Sequence, residues 1–438
     1  MKYSIHNQFQ NSLPAFKASD PHLQELSKLK YQYSPNWWKD LHSNIPGIYI
    51  LTGGRQVGKS TSCKLLIQHC LERKFFSPED IFYLPCDEIY DAKELGETLR
   101  SFLNEISNNH LFLLIIDEVT FVKNWDRVIK ALADEGYFKK GLCLLTGSDS
   151  LILKEAAMRF PGRRGKAEKT DFHLYPLSFK EYAQLHSIKD NLTLQELEIL
   201  FKNYLVCGGY LRAINDLAEY GKITPSTYST YEQWIRGDFL KQGKNETTLL
   251  ALLQALQTVG VSQISYSKLT QKIGLISKET CIDYCRLLER MDILINLQAF
   301  DQNKKQGFPR KDRKFHFTDP FIYHTIFHWL QREGYLQAPA SENTLVESCV
   351  ASHCYRIYKT FYFKGQGEVD IICLEGKSIQ AIEVKWANQI LPNDLKTLKQ
   401  FKNKAILTKI PPASSTEGIL ASPVYQFLFE LSPNTNTV

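Results

Sequence analysis

A glycine-rich segment with a lysine and a serine at fixed spacing offers a binding site for phosphate groups. Residues 53–60 read Gly-Gly-Arg-Gln-Val-Gly-Lys-Ser and fit the pattern G-x-x-x-x-G-K-[ST]. Glycines let such a loop curl until successive backbone N–H groups point at phosphate oxygens, and the N-terminus of a following helix adds partial positive charge. The Lys59 ammonium suits the β- and γ-phosphates, and the Ser60 hydroxyl suits Mg²⁺. The predicted phosphate-contacting residues are Gly53, Gly54, Arg55, Gln56, Val57, Gly58, Lys59, Ser60 and Thr61.

The chain on either side of this loop has the local pattern that a phosphate loop needs. An apolar, β-rich run at 47–52 leads into it, and a helix-compatible segment at 61–68 leads out of it. A chance match in a glycine-bearing turn would not be expected to have a β-rich run before it and a helix-compatible segment after it. The sequence therefore predicts a nucleoside triphosphate site between a strand and a helix.

Two adjacent carboxylates supply the second half of the predicted site. Residues 111–116 are a continuous apolar run, typical of a central strand covered on both faces, and the run ends in Asp117 and Glu118. Asp117 is predicted to hold Mg²⁺ directly or through water, beside Ser60. Glu118 is predicted to polarise the attacking water. A solvated strand end is the alternative, and it does not explain the pairing with the glycine-rich loop.

Several short motifs occur in a fixed order and together resemble one protein family. They are 52–60 (Thr-Gly-Gly-Arg-Gln-Val-Gly-Lys-Ser), Asp117-Glu118, Thr146-Gly147-Ser148, Gly162-Arg163, 176–179 (Pro-Leu-Ser-Phe) and 204–210 (Tyr-Leu-Val-Cys-Gly-Gly-Tyr). In this order they resemble prokaryotic AAA+ ATPases with a winged-helix segment and a restriction-endonuclease-like C-terminal domain. The resemblance covers nearly the whole chain after about residue 30 and implies ATP binding, ATP hydrolysis and a connection with DNA. The additional strand predicted at 80–85 resembles the ASCE division of P-loop ATPases.

The resemblance also implies residues that contact the γ-phosphate. The strand at 141–148 carries Thr146 and Ser148 at its end, where AAA+ proteins place a polar side chain that senses this phosphate; capping of the following helix is the alternative. The basic loop 158–166 follows, and Arg163 and Arg164 are its best candidates for stabilising transition-state charge, in the same chain or in a neighbouring subunit. A solvated basic loop remains the other interpretation.

The predicted fold class is α/β. We expect a parallel-sheet P-loop NTPase core with a helical lid, a winged helix and a C-terminal α/β nuclease-like domain. The predicted ranges are 1–190 for the AAA+ core with its N-terminal extension, 191–245 for the lid, 246–335 for the winged helix and 336–438 for the restriction-endonuclease-like domain. Gly208 and Gly209 are predicted to break two helices of the lid.

Three helical patterns followed by two β-rich segments suit a winged helix. The helices are predicted at 249–258, 266–274 and 277–288, the last capped by Ser277. Segments 292–300 and 314–317 are expected to pair as the wing, and the turn at 301–314 holds six Lys or Arg residues against two Asp. Such a wing suits the phosphates of DNA, but winged helices also bind proteins, so both partners stay open.

Charged residues near the C-terminus form a third candidate site. Asp370 lies on one predicted strand, and Glu383 and Lys385 share a face of the next strand. Two carboxylates can hold Mg²⁺ or Mn²⁺ while the ammonium stabilises charge on a scissile phosphate. The spacing resembles the PD-(D/E)xK nuclease signature, and Glu347 on the preceding helix matches its additional acid. Metal-dependent cleavage and a binding module that does not cut are the two alternatives.

Composition limits the class of protein. The net charge of +6 permits a nucleic-acid partner without requiring one. Ten cysteines without a C-x-x-C pair indicate neither a disulfide framework nor a zinc site, which predicts a reducing, cytoplasmic location. The longest strongly apolar run is too short to span a bilayer, and the first eight residues lack the apolar core of a signal peptide, so no membrane partner is expected.

These observations favour a Mg²⁺-dependent ATPase that acts on or near DNA, with ATP and Mg²⁺ as its ligands and homo-oligomerisation left open. ATP is preferred over GTP because no Asn-Lys-x-Asp motif follows the glycine-rich loop. One alternative is an ATP-gated protein-interaction switch whose C-terminal domain binds but does not cut. A small-molecule kinase is disfavoured because the appended domains have no obvious role in such a reaction.

Overall fold

The computed structural model describes most of the chain and divides it into two compact units. The described residues are 6–10, 12–41, 44–106, 111–149, 153, 160, 162–187, 191–336, 338–339, 341–387, 395–411 and 419–432. The units are Met1–Tyr175 and Pro176–Val438. Among the described residues, no helix combines the length and the apolar character that crossing a membrane requires.

A five-stranded parallel sheet forms the centre of the first unit. Its strands are β1 (Gly47–Thr52), β2 (Ile81–Pro85), β3 (Phe112–Asp117), β4 (Gly141–Gly147) and β5 (Asp171–His173). They are ordered β2-β3-β4-β1-β5, with every neighbouring pair parallel. The predicted α/β class with a parallel sheet is confirmed. Because β4 lies between β1 and β3, the glycine-rich loop and the acidic pair follow strands separated by one strand at the same edge.

Helices cover both faces of this sheet. They are α1 (Leu13–Ser19), α2 (Pro21–Lys28), α3 (Lys59–Glu72), α4 (Ala92–Glu105) and α5 (Trp125–Asp134). Alternation along β1 sends Tyr49 and Leu51 into one core with α1, α2 and α3. Ile48 and Ile50 enter the opposite core with α4 and α5. Packing on both faces explains why β1 to β4 are apolar almost throughout.

The described part of the second unit contains ten α-helices, of which the first seven precede its strands. They are α6 (Phe179–His186), α7 (Leu194–Cys207), α8 (Leu211–Tyr220), α9 (Pro225–Lys241), α10 (Glu246–Val259), α11 (Tyr266–Lys272), α12 (Lys278–Arg290), α13 (Pro320–Arg332), α14 (Glu342–Tyr355) and α15 (Val424–Glu430). Gly208 ends α7 with φ of +58°, and α8 starts after Gly209, so the predicted helix break is confirmed. Ser277 caps α12 by accepting from the Thr280 N–H, as expected.

A seven-stranded mixed sheet completes the second unit. Its strands are β6 (Leu294–Asp301), β7 (Gln306–Phe317), β8 (Lys359–Lys364), β9 (Glu368–Glu375), β10 (Ser378–Lys385), β11 (Asn403–Thr408) and β12 (Leu420–Pro423). The order is β12-β11-β10-β9-β8-β6-β7. The pairing of β6 with β7 agrees with the expected hairpin. The expected turn at 301–314 is wrong in extent, because β7 begins at Gln306 and most of the basic stretch is strand.

The hairpin bears on the predicted domain ranges. Ala299 of β6 pairs with Tyr362 of β8, so the hairpin is an edge of the same sheet that holds the C-terminal carboxylates. The helices and the hairpin occur in the predicted order. Their assignment as a lid, a winged helix and a nuclease-like domain with a boundary at 335–336 stays a prediction.

Candidate functional site

The glycine-rich loop connects the buried strand β1 to the first turn of α3. Thr52 ends β1, and α3 begins at Lys59. Gly58 has φ of +93°, a conformation that residues with a Cβ rarely adopt, although nothing lies within 4 Å of a Cβ placed there. The glycine is therefore required by the backbone rather than by a lack of space. In the first turn of α3, Lys59, Ser60 and Thr61 carry N–H groups that have no partner within the helix, which suits an anion.

Lys59 lies inside this loop with its ammonium fully engaged. Its side chain is only 4% exposed, and Nζ lies 3.2 Å from Oε1 of Glu118. Nζ also donates to the carbonyl oxygens of Gly53 and Gly54 at 3.1 and 3.0 Å. The structure therefore brings the predicted phosphate-binding lysine and the predicted water-polarising acid into one ion pair.

Asp117, at the end of β3, is buried and held from two sides. Its Oδ1 accepts from the Thr146 hydroxyl, and its Oδ2 accepts from the Tyr83 hydroxyl. The Ser60 side chain also lies near the Tyr83 hydroxyl and acts against the rise of its pKa. Burial, assisted by the charge on Asp117, raises the pKa of Tyr83, so this hydroxyl keeps its proton. Ser60 and Asp117 are thus within reach of one shared atom.

This arrangement tests whether Ser60 and Asp117 fit a magnesium ion. Mg²⁺ bound with a nucleotide takes one or two protein oxygens and completes its shell with phosphate oxygens and water. The Asp117 carboxylate accepts from the hydroxyl of Tyr83 and the Ser60 side chain interacts with the same hydroxyl, so both side chains lie near one atom. The pair fits the ion in donor type and in position.

Glu118 follows in a left-handed backbone conformation, with φ of +51°. Its backbone N–H donates to the Thr146 hydroxyl at 2.9 Å, and its Oε2 accepts from the Ser148 N–H at 3.0 Å. The two candidates for γ-phosphate sensing therefore contact the acidic pair. Thr146 orients both acids through its hydroxyl, whereas Ser148 holds Glu118 through its backbone. Their contact with a γ-phosphate stays a prediction.

The remaining residues of the predicted phosphate site line the same loop. The guanidinium of Arg55 lies 5.6 Å from the centre of the Phe121 ring. Gln56 has φ of +62°, and Val57 packs against the core that contains α3.

Arg163 and Arg164 lie at the other end of β1. Arg163 Nε donates to Oδ1 of Asp134 at 2.5 Å, and the Arg164 guanidinium makes two bonds of 2.8 Å to Asp171. The backbone of Arg164 contacts Gly47, the first residue of β1, whereas the phosphate loop follows the last residue of that strand. A six-residue strand is about 16 to 20 Å long. The Arg164 guanidinium, however, bonds Asp171, which pairs with Ile50 two residues before the end of β1. A role of either arginine in the site of its own chain stays a prediction.

A role of these arginines in a neighbouring subunit stays a prediction. Met158 and Arg159 of the same predicted basic loop lie outside the described residues, as does Pro161.

The C-terminal charged residues form a second cluster, in which the structure adds an unexpected member. Glu347 on α14, Asp370 on β9 and the additional acid Glu368 surround the ammonium of Lys314 from β7. The distances from Nζ are 2.9 Å to Glu347, 2.8 Å to Glu368 and 3.0 Å to Asp370, and the Lys314 side chain is 2% exposed. The acids raise the pKa of Lys314 although its burial opposes this, so it carries a proton.

Glu383 and Lys385 on β10 complete this cluster. Lys385 Nζ lies 3.0 Å from Oε1 of Glu383, as the shared face of the strand predicts. Burial, together with the charge on Asp370, raises the pKa of Glu347 to about 8 and that of Glu383 to about 7. Among the described residues, no group of three or more His, Cys, Asp or Glu side chains is arranged to hold a metal ion. The predicted metal set of Glu347, Asp370 and Glu383 lies in one charged cluster, in which the Lys314 ammonium contacts both Glu347 and Asp370. Its role in metal binding stays a prediction.

Comparison with protein families finds matches to three segments of the chain. Residues 46–183 match an AAA domain. Residues 198–333 and 342–416 match two domains of unknown function, DUF8612 and DUF4143. The AAA domain thus contains the glycine-rich loop, the acidic pair and every strand of the parallel sheet.

Related proteins carry no assigned role in their names. An uncharacterized protein of Methanocaldococcus jannaschii is 25% identical over 403 residues, which cover 83% of this chain and 80% of the relative. An uncharacterized protein of Haemophilus influenzae is 23% identical over 286 residues, which cover 62% of this chain and 67% of the relative. Among solved structures, the Walker-type ATPase of Pyrococcus abyssi aligns with a TM-score of 0.44 and 14% identity, over 64% of this chain and 91% of that chain.

Sequence reasoning missed two residues of the AAA domain, Tyr83 and Lys64. Lys64 is fully buried on α3, where Nζ lies 3.2 Å from Oδ2 of Asp20 and 3.6 Å from the centre of the Tyr83 ring. It also donates to the backbone carbonyl of His6 at 2.8 Å. Burial lowers the pKa of Lys64, and Asp20 counteracts this effect. The available signal was a lysine four residues after Ser60 on an otherwise buried helix face.

Proposed function

We propose that this chain binds ATP with Mg²⁺ between residues 53–61 and the pair Asp117–Glu118, and that it hydrolyses the γ-phosphate. The observation that carries the proposal is the meeting of Lys59, Ser60, Asp117 and Glu118 at one edge of a parallel sheet. The match of residues 46–183 to an AAA domain supports it. The proposed roles use the chemistry of each group as the structure presents it.

Each side chain would then have one task. Lys59 would bind the β- and γ-phosphates, and the N–H groups at the start of α3 would bind phosphate oxygens. Ser60 and Asp117 would hold Mg²⁺, which neutralises charge on the phosphates when bound. Glu118, oriented by the Ser148 N–H, would accept a proton from the attacking water.

Phosphate release in the presence and absence of DNA tests this proposal. Lys59→Ala should abolish ATP turnover because it removes the cation that contacts the transferred phosphate. Lys139→Ala, at an exposed lysine of the same domain, is the matched control and should turn over ATP at the wild-type rate. Turnover that survives in Lys59→Ala would contradict the assigned roles.

We further propose that the basic hairpin contacts DNA. Of the six basic residues between 301 and 314, Arg313 and Lys314 are buried, and four are exposed: Lys304, Lys305, Arg310 and Lys311. Exposed cations on a hairpin suit the phosphate backbone. Duplex binding should therefore weaken as salt rises, with a log–log slope that falls by about 3 to 4 when all four become Gln. Gln substitutions at four exposed lysines of the first unit form the control: Lys28, Lys123, Lys130 and Lys139.

A second candidate function is an ATP-gated interaction switch whose C-terminal domain binds without cutting. The position of Lys314 among the acids favours this over a nuclease. Absence of any salt-dependent DNA binding, with ATP turnover intact, would point to a protein partner. In either case we propose a cytoplasmic protein, and we leave open whether it forms homo-oligomers.

A further inference from the structure

The Lys314 ammonium lies in the C-terminal carboxylate cluster and contacts three of its acids, as a bound metal ion would. An ammonium carries three N–H donors and no acceptor. Each of the three donors has one carboxylate oxygen at hydrogen-bond distance: 2.9 Å to Glu347, 2.8 Å to Glu368 and 3.0 Å to Asp370. These acids come from a helix and a strand on two sides of the lysine. The bonding capacity of the ammonium is therefore complete.

The same contacts leave no fit for a divalent ion. Mg²⁺ requires oxygens at about 2.1 Å and Mn²⁺ takes a similar oxygen shell, whereas the acids here are spaced for N–H donors. Both oxygens of Asp370 already make contacts, because Oδ2 accepts the Val384 N–H at 3.0 Å while Oδ1 contacts Lys314. Glu383 is paired with Lys385 at 3.0 Å through Oε1, and its buried Oε2 has no hydrogen-bond partner among the described residues. A metal at this point would have to displace a buried cation that is bonded on three sides.

We propose that Lys314 replaces a divalent metal ion in this cluster, so that the C-terminal domain binds no Mg²⁺ or Mn²⁺ there and cuts no nucleic acid. The proposal is independent of the ATP site. It also gives the cluster a structural task, because Lys314 lies on the β6–β7 hairpin and its partners lie on α14 and β9. The ion cluster attaches the hairpin to the C-terminal part of the same sheet.

Binding of Mn²⁺ to nucleotide-free protein tests the proposal, with free Mn²⁺ followed by electron paramagnetic resonance. Five proteins are compared: wild type, Asp370→Asn, Lys314→Gln, Lys314→Arg, and the double variant Lys314→Gln with Asp370→Asn. The ATP site is the same in all five, so differences report the C-terminal cluster. We expect wild type and Asp370→Asn to bind the same number of Mn²⁺ ions.

Removing the ammonium should open the cluster to metal. Lys314→Gln leaves three buried acids without their cation, so Mn²⁺ affinity should rise by roughly tenfold or more, and Asp370→Asn in that background should abolish the gain. Lys314→Arg keeps the charge and should bind no additional Mn²⁺. If Lys314→Gln fails to fold, the comparison of wild type with Asp370→Asn still tests the proposal. A Mn²⁺ ion bound by wild type and lost in Asp370→Asn would overturn the proposal.

Discussion

The ammonium of Lys59 lies 3.2 Å from a carboxylate oxygen of Glu118. Lys59 is the residue proposed to bind the transferred phosphate, and Glu118 is the residue proposed to accept the proton of the attacking water. A γ-phosphate that takes Lys59 as its partner therefore releases Oε1 of Glu118. Oε2 stays fixed by the Ser148 N–H at 3.0 Å, so the acid remains oriented while one oxygen becomes available for water. Under the proposed roles, this ion pair would couple arrival of the substrate to activation of the base.

Tyr83 should determine how well the site holds magnesium. Tyr83→Phe removes the hydroxyl that donates to Asp117 and interacts with Ser60, so Asp117 loses one of the two side-chain bonds that orient it. Loss of such an orienting group commonly lowers metal affinity about tenfold or more. The Mg²⁺ concentration for half-maximal ATP turnover should rise by that factor, with little change in the rate at saturating Mg²⁺.

Tyr49→Phe is the matched control, since the Tyr49 hydroxyl donates to the carbonyl of Ile45, before the start of β1. Its Mg²⁺ dependence should equal that of wild type. If Tyr83→Phe needs less Mg²⁺ than wild type, the hydroxyl competes with the metal and the orienting role is wrong.

Gly209 should tolerate no side chain. A Cβ at this position would lie 2.0 Å from the carbonyl oxygen of Leu177 and 2.6 Å from its nitrogen, both backbone atoms. Because Leu177 N–H donates to Gly209 O at 2.8 Å, the two segments cannot separate without losing that bond. Gly209→Ala should lower the free energy of unfolding by about 3 kcal/mol or more, measured by urea denaturation.

Gly237→Ala supplies the control for this substitution. Gly237 lies in α9 with nothing within 4 Å of its Cβ position, so alanine should raise stability by about 0.5 to 1 kcal/mol. Equal effects of the two substitutions would show that the close approach to Leu177 does not limit the residue at 209.

Buried histidines should make the second unit sensitive to acid. Burial lowers the pKa of His353 to about 3, and its Nε2 accepts from the Phe179 N–H at 2.9 Å, which requires the neutral ring. The unfolded chain binds the proton near pH 6.5, so the stabilising effect is complete above that value and is lost as pH falls from 6.5 toward 3. His316 behaves alike, with its pKa lowered to about 3 by burial and by Lys314.

Urea denaturation between pH 7.5 and pH 4.5 measures this dependence. One such histidine changes the free energy of unfolding by up to roughly 1.4 kcal/mol per pH unit below pH 6.5. His353→Gln keeps an acceptor for Phe179 and removes the titrating ring, so its pH slope should be smaller. A slope unchanged by the substitution would exclude His353 as a source of the acid sensitivity.

The ATP site could be predicted because each of its parts has a recognisable local sequence pattern. The G-x-x-x-x-G-K-S segment requires the turn from β1 to α3, and apolar strands that end in polar residues meet at one edge of a parallel sheet. Tyr83 could not be found in this way. In β2 it alternates with Phe82 and Leu84 and reads as an ordinary core residue, because its partner Asp117 is distant in sequence.

Lys314 shows the opposite case, in which a signal was present but was misinterpreted. The stretch from 301 to 314 is predicted to be a basic turn between the two strands of the wing, and charge alone cannot separate an exposed lysine from one that acids have buried. Alternation along the end of β7 places Lys314 and His316 on one face and Phe315 and Phe317 on the other. All four are buried, because α14 packs against β7, Phe315 contacts Tyr266 of α11 and Phe317 contacts Tyr323 of α13.

Glu118→Gln tests the central claim most directly, because it keeps the size and the Ser148 contact of the side chain but removes the base. The measurement is a pair of assays on the same preparation: equilibrium binding of a fluorescent ATP analogue and the rate of phosphate release. We predict that the variant binds nucleotide at least as tightly as wild type and that its turnover falls by roughly a hundredfold or more. Turnover at the wild-type rate with nucleotide binding intact would contradict the account.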